Sequence, residues 1–129
     1  MLNINKVHHI AIIRSDYQTS KHFYTQILGF SIVREVYREQ RNSYKLDLEV
    51  NGEYQIELFS FPNPPARASH PEAAGLRHLC FEVDDIDVAV AHIEAHGIAV
   101  EPIRIDEFTD KRYTFFADPD GLPIEFVEK

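Results

Sequence analysis

A chain of 129 residues, 44% hydrophobic and 12% aromatic, is long enough to bury a core without covalent staples, as one domain or as two small halves sharing it. Its single cysteine, Cys80, excludes an intramolecular disulfide and a thiolate zinc cluster, so any metal must be held by nitrogen and oxygen, and a reducing, cytoplasmic setting is expected. Thirteen Lys and Arg against twenty-one Asp and Glu give a net charge of −8 with no basic stripe, which argues against nucleic acid as a partner, and no apolar run approaches membrane-spanning length.

The first element is a strand over Val7 to Ile13, apolar except at its two histidines. Ser15 or Asp16 caps the helix that follows, whose apolar stripe pairs Phe23 with Ile27 and Tyr24 with Leu28 before Gly29 stops it. Phe30 to Tyr37 and Ser43 to Val50 are rich in β-branched and aromatic residues, and Asn51-Gly52 marks a tight hairpin into a strand over Tyr54 to Phe61. The order is βαβββ. Pro62-Asn63-Pro64-Pro65 breaks any pairing and opens a linker that runs to Gly75. A second βαβββ unit follows: a strand over Leu76 to Val83, a helix capped by Asp84 or Asp85 and ended by Gly97, then strands over Ile98 to Ile103, Arg112 to Ala117 and Leu122 to Val127. Asp118-Pro119-Asp120-Gly121 supplies turn chemistry for the last hairpin. The expected organisation is one α+β domain over residues 1–129, with module one at 4–61, a linker at 62–75 and module two at 76–129.

The two units are copies of one pattern. From His9 to Asp16 and from His78 to Asp85 is seven positions; from each histidine to the glycine that ends its helix is twenty and nineteen; from His9 to Glu57 and from His78 to Glu125 is forty-eight and forty-seven. Strand side chains alternate faces, and in Ile56-Glu57-Leu58 and Ile124-Glu125-Phe126 the apolar neighbours belong under the helices, which turns each glutamate to the opposite, concave face. Leu79 and Phe81 do the same beside His78. If a pseudo-twofold relates the halves, His9, Glu57, His78 and Glu125 converge. Two imidazoles and two carboxylates suit one divalent ion such as Zn, Ni, Co, Mn or Fe(II), and four protein ligands leave octahedral positions for water or substrate. His8 shares a strand with His9 and is expected to point the other way; alignment of Ile10 with Leu79 selects His9. His22, His70, His92 and His96 are most simply surface residues, and Cys80, though on the concave face, is read as packing.

With His9, the segment Phe23-Tyr24-Thr25-Gln26-Ile27-Leu28-Gly29-Phe30, Ile56-Glu57-Leu58, the strand Arg77 to Val83 and Asp118-Pro119-Asp120-Gly121-Leu122-Pro123-Ile124-Glu125 in hand, the chain resembles the vicinal oxygen chelate superfamily over essentially its whole length, and within it the glyoxalase I-like (lactoylglutathione lyase-like) proteins. The resemblance implies paired βαβββ modules curved around a metal, a small oxygen-chelating substrate, and homodimers. It implies a metal-dependent lyase or isomerase that acts on a hemithioacetal or α-hydroxycarbonyl by proton transfer through an enediolate, with Glu125 as the catalytic base and His9, Glu57 and His78 as the other ligands.

One departure bears on the substrate. Relatives similar to this chain carry an arginine four residues after the first ligand, where it holds a substrate carboxylate; here Ile13 stands at that position, so glutathione use is not implied. Tyr24, Arg41, Phe59, Phe61 and Tyr113 are candidates to line a pocket. Competing functions are a thiol transferase of fosfomycin-resistance type or a ring-cleaving dioxygenase, which use two histidines and one glutamate, and a non-catalytic binding module, which needs no metal.

Overall fold

The structure is a computed structural model that describes all residues, Met1 to Lys129. Its contacts divide into two compact units, Met1–Ala66 and Arg67–Lys129. Unit one contains β1 (Ile10–Arg14), α1 (Tyr17–His22), β2 (Ser31–Arg38), β3 (Ser43–Val50) and β4 (Glu53–Ser60); unit two contains β5 (Leu79–Val83), α2 (Ile86–Ala95), β6 (Arg104–Ile105), β7 (Arg112–Ala117) and β8 (Pro123–Glu128). Each builds one four-stranded mixed sheet, in the order β1-β4-β3-β2 and β5-β8-β7-β6. The first strand pairs parallel with the last, and the other neighbours are antiparallel. The α+β class and the doubled βαβββ order are those read from the residues.

In unit one, Ile12, Leu58 and Leu46 lie side by side across β1, β4 and β3, and Ile56 and Leu48 form the next row; all five are buried with Tyr17, Phe23 and Tyr24 of the helical segment. Unit two repeats this with Leu79, Ile124 and Phe116 in register and Phe126 beside them, under Ile86 and Ile93 of α2. Asp16 and Asp85 are the helix caps: their carboxylates accept from Thr19 N at 3.0 Å and Val88 N at 3.1 Å. Asn51 and Gly52 both take positive φ, 50° and 83°, as the two-residue hairpin between β3 and β4 requires.

Four expectations need correction. The first helix does not run regularly to Gly29; after His22 it widens into a π turn over Phe23–Ile27, closed by Leu28 N donating to Phe23 O at 2.9 Å. The strand expected over Ile98 to Ile103 does not form, and β6 is only Arg104–Ile105; Pro102 has no N–H to donate, and Glu101 N alone reaches Phe115 O, at 2.9 Å. Strands β1 and β5 begin at Ile10 and Leu79, one residue beyond His9 and His78, so both histidines stand at the mouths of their strands. Tyr24, a candidate to line a pocket, is wholly buried in the core with Phe23 of the same apolar stripe.

Core packing sets the stability of unit two. Ile93→Ala, at a position 1% exposed, should cost about 2–5 kcal/mol, whereas Val88→Ala on the open side of the same helix should stay within about 0.5 kcal/mol. Denaturant unfolding of the two variants checks this, and equal losses would contradict the helix orientation.

Candidate metal centre and active site

Each module brings one histidine and one glutamate together. In module one, Glu57 follows from strand alternation: Ile56 and Leu58 face the core, so the carboxylate emerges on the other side, in register with Ala11 and Asp47. His9 Nε2 stands 3.4 Å from Glu57 Oε2. The expectation that His8 points away fails, because residues 8 and 9 precede the strand and do not alternate; the two rings meet edge to face, and both pack on Tyr54. Tyr54 donates its hydroxyl to Glu57 in a short hydrogen bond, and burial followed by that carboxylate raises the phenol's pKa, keeping it a donor.

Beside Glu57, across the β3–β4 pair, lies a second carboxylate. Asp47, 1% exposed, accepts from Lys45 Nζ at 2.7 Å and from Arg34 Nη2 at 2.8 Å and Nε at 3.1 Å. Burial acts to raise its pKa, but the hydrogen bonds from Lys45 and Arg34 outweigh it and hold the carboxyl below its ordinary value. Lys45 Nζ also stands 3.7 Å from Glu57 Oε2, so one ammonium serves both acids.

Module two repeats the pair with different surroundings. His78 Nε2 is 3.0 Å from Glu125 Oε1, and Glu125 is in register with Cys80 on one side and Phe115 on the other. Phe115 meets the His78 ring edge to face at 5.1 Å, and Arg77 Nη1 donates to His78 Nδ1 at 3.2 Å. Burial, then the Glu125 charge and a hydrogen bond to it, push the Cys80 thiol up to about 11, so it stays protonated at neutral pH and donates to Glu125. Beside Phe115 opens a cavity of about 450 Å³ whose wall includes Arg67, His70, Arg77, Glu101 and Arg104. Tyr113 lies on the same face, with Arg104 over its ring at 5.2 Å.

The fold recurs in known proteins. Residues 6–126 match the model of the Glyoxalase/Bleomycin resistance protein/Dioxygenase superfamily. The chain belongs to that superfamily. The uncharacterized protein YaeR of Escherichia coli is 63% identical over the full length of both chains. A probable lactoylglutathione lyase of Vibrio cholerae is 27% identical over 96% of this chain and 91% of its own. Among solved structures, a glyoxalase family protein from Enterococcus faecalis is 48% identical and superposes with a TM-score of 0.87, covering 95% of this chain and 97% of the other. The fosfomycin resistance protein FosX of Listeria monocytogenes, in complex with Mn(II) and a dihydroxypropylphosphonic acid, shares the fold at a TM-score of 0.77 and 18% identity, covering 98% of this chain and 94% of its own.

Proteins of the glyoxalase superfamily commonly bind a divalent metal, and the donor atoms here can be tested for fit. Two ligand atoms each about 2.1 Å from one ion lie about 3.0 Å apart at a right angle and about 3.4 Å apart at the tetrahedral angle. The Glu125–His78 and Glu57–His9 separations are 3.0 and 3.4 Å. Both pairs are reachable: side-chain exposure is 39% and 9% for His9 and Glu57, and 26% and 18% for His78 and Glu125. Each pair therefore suits two adjacent coordination positions. Neither module contains a group of three His, Cys, Asp or Glu side chains placed to hold a metal ion, so one module by itself would supply two protein ligands.

Residues that sequence reasoning missed are Tyr54, Asp47 and Lys45 around Glu57, and Phe115 and Arg77 around His78. Asp47 gave no signal: an acid alternating with Leu46 and Leu48 falls on the face away from the core, where acids are ordinarily solvated, and only the packing of Lys45, Arg34 and Tyr54 around it buries it.

Since Asp47 carries a lowered pKa when folded, its contribution to stability is present above the unfolded value of about 3.9 and is lost as pH falls through the lower folded value. Asp47→Asn should cost about 1–3 kcal/mol at neutral pH by leaving Lys45 and Arg34 short of an acceptor. That deficit should shrink below about pH 3.9 as the wild-type carboxyl protonates. Urea unfolding across pH measures it, and a deficit independent of pH would contradict the pairing.

Proposed function

We propose that the chain is a metal-dependent lyase or isomerase of the glyoxalase I type, acting on a small substrate that chelates through adjacent oxygens. The observation that carries this reading is the doubled pair: one imidazole nitrogen and one carboxylate oxygen, at ligand-to-ligand spacing, at equivalent places in both modules. His9, Glu57, His78 and Glu125 would together hold one divalent ion, with Ni, Co, Zn, Mn and Fe(II) all compatible with the donors. Such an ion, when bound, supplies the positive charge that polarises a chelated carbonyl and acidifies the neighbouring C–H.

The residues have separate tasks. Glu125 is the proposed base: with one oxygen beside His78 and a thiol donor from Cys80, it takes a proton from the carbon next to the carbonyl and returns it to the adjacent carbon. Glu57 is held by the Tyr54 hydroxyl and by Lys45, which suits an anchored ligand rather than a moving base. If His78 gave Nε2 to a metal, its neutral ring would carry the proton on Nδ1 and Arg77 would have to release that nitrogen; the Arg77 side chain is 63% exposed and already bonded to Glu72. Phe115 walls the His78 side of the site against water.

The likeness to a probable lactoylglutathione lyase supports the reaction class, while Ile13, 55% exposed on the same face as Glu57, keeps glutathione outside the proposal. Homodimer formation belongs to the same reading. Edge strand β2 leaves Ile32, Val33, Val36 and Tyr37 exposed, and a second copy of the chain would cover them.

The test is a screen of the metal-reconstituted protein against hemithioacetals and α-hydroxycarbonyls. Metal-dependent turnover is expected, falling about 10²–10⁴-fold in Glu125→Gln. Turnover unchanged in that variant, or no turnover with any of the five metals, would overturn the assignment. His78→Ala and Glu57→Ala should lose metal affinity while the metal-free proteins unfold within about 1 kcal/mol of wild type, because both side chains sit on the face away from the apolar layer. Light scattering on a sizing column should give twice the chain mass, and a monomer at micromolar concentration would contradict the dimer.

A further inference from the structure

Arg38 ends strand β2 on the face that carries Glu57, and its situation is unusual. Its guanidinium lies over Phe59 at 4.8 Å and Phe61 at 5.9 Å, two rings 6.2 Å apart and nearly parallel. Nη2 donates to Ser43 Oγ at 3.1 Å, but the buried Nε has no acceptor. A donor taken out of water and left unmet is costly, so such a nitrogen marks a place where an acceptor belongs. Arg41 stands 5.6 Å from the same Phe61 ring and Lys45 6.0 Å from Phe59, and neither arginine is ion-paired with an acid.

Position on the sheet says what the acceptor is attached to. Phe59 is in register with Ile13 on β1 and Lys45 on β3, and it lies two residues beyond Glu57 on β4. Alternation puts Glu57 and Phe59 on one face, about 7 Å apart along the strand, and Phe61, just past the strand's end, stacks on Phe59. The face thus runs from a carboxylate–imidazole pair, across an aromatic bed, to a cluster of cations.

We propose that Arg38, backed by Arg41, is an oxyanion clamp: it receives the carboxylate or phosphonate end of a small organic acid whose apolar body lies on Phe59. The planar fork of a guanidinium matches either group through two parallel hydrogen bonds, and the aromatic bed holds the fork rigid and dry. Placing the clamp in the substrate site rests on the role proposed for His9 and for Glu57, which lies about 7 Å along the strand from Phe59. The substrate class narrows accordingly to anionic chelators, and neutral hydroxycarbonyls become poor substrates.

The test uses the full-length, metal-free protein labelled with ¹⁵N, in which arginine Nε–H groups are observed directly. Phenylacetate, phenylphosphonate and the neutral phenylacetamide are titrated in parallel, and metal uptake is measured on the same preparation. At least one oxyanion should shift the Arg38 Nε resonance and bind about tenfold or more tightly than the amide, the worth of a charge-assisted fork. Which acid binds better identifies the natural end group. Arg38→Gln should abolish the preference for the acid and leave metal uptake unchanged. Equal binding of acids and amide, no binding of either acid, or a preference that survives in Arg38→Gln would overturn the clamp. The wild-type comparison stands even where the variant does not fold. Failure of the oxyanion arm with intact metal uptake removes the clamp alone; loss of metal uptake with oxyanions still bound removes the metal role and leaves the clamp.

Discussion

The period of two along strands β4 and β8 is the constraint from which the rest follows. Ile56 and Leu58 in one module, and Ile124 and Phe126 in the other, are buried against helical segments, and a residue between two such neighbours has no choice but the opposite face. That residue is a glutamate both times. The parallel pairing of the first strand with the last then sets the mouth of that strand beside the glutamate, and the histidine standing there comes within 3.4 Å of the carboxylate in one module and 3.0 Å in the other. Hydrophobic burial, the largest favourable term in the fold, thus also aims the polar groups. A one-residue slip of either strand would bury a carboxylate and expose two large apolar side chains, so register and site are protected by the same energy.

The two pairs are alike in donors and unlike in what surrounds them. Glu57 sits beside the buried Asp47, shares Lys45 with it, and receives the Tyr54 hydroxyl, so its carboxylate is fixed by charge and hydrogen bonding. Glu125 has a histidine and a protonated thiol for company and is the more exposed carboxylate of the two. Equivalent positions therefore diverge into a restrained carboxylate and a freer one, which is the asymmetry the proposed proton transfer needs. The cations are divided as well. Arg38 and Arg41 of unit one collect on Phe59 and Phe61, while Arg67, Arg77 and Arg104 of unit two line the cavity beside Phe115.

Much of this was legible in the amino-acid order because it is local or periodic. Caps at Asp16 and Asp85, the Asn51-Gly52 hairpin and the alternation around both glutamates each depend on residues a few positions apart. Misreadings fall where a longer-range term wins. Tyr24 could be read either as part of the apolar stripe of the first helix or as a pocket wall, and the fold buries it completely, in the core. His8 seemed bound to face away from His9, yet both precede the strand and settle on Tyr54. Arg38 has no local signature at all; only the register of β2, β3 and β4 brings it over Phe59. Pro102 could have been read in advance, since it removes the N–H that an extended β6 needs.

X-ray absorption of the zinc- or nickel-loaded protein, taken with the metal-to-chain ratio, tests the central claim most directly. One ion per chain with two imidazoles and two carboxylates in its inner shell is the outcome the doubled pair predicts. Two ions per chain with a single imidazole each, or a shell of water and carboxylate without histidine, would contradict it.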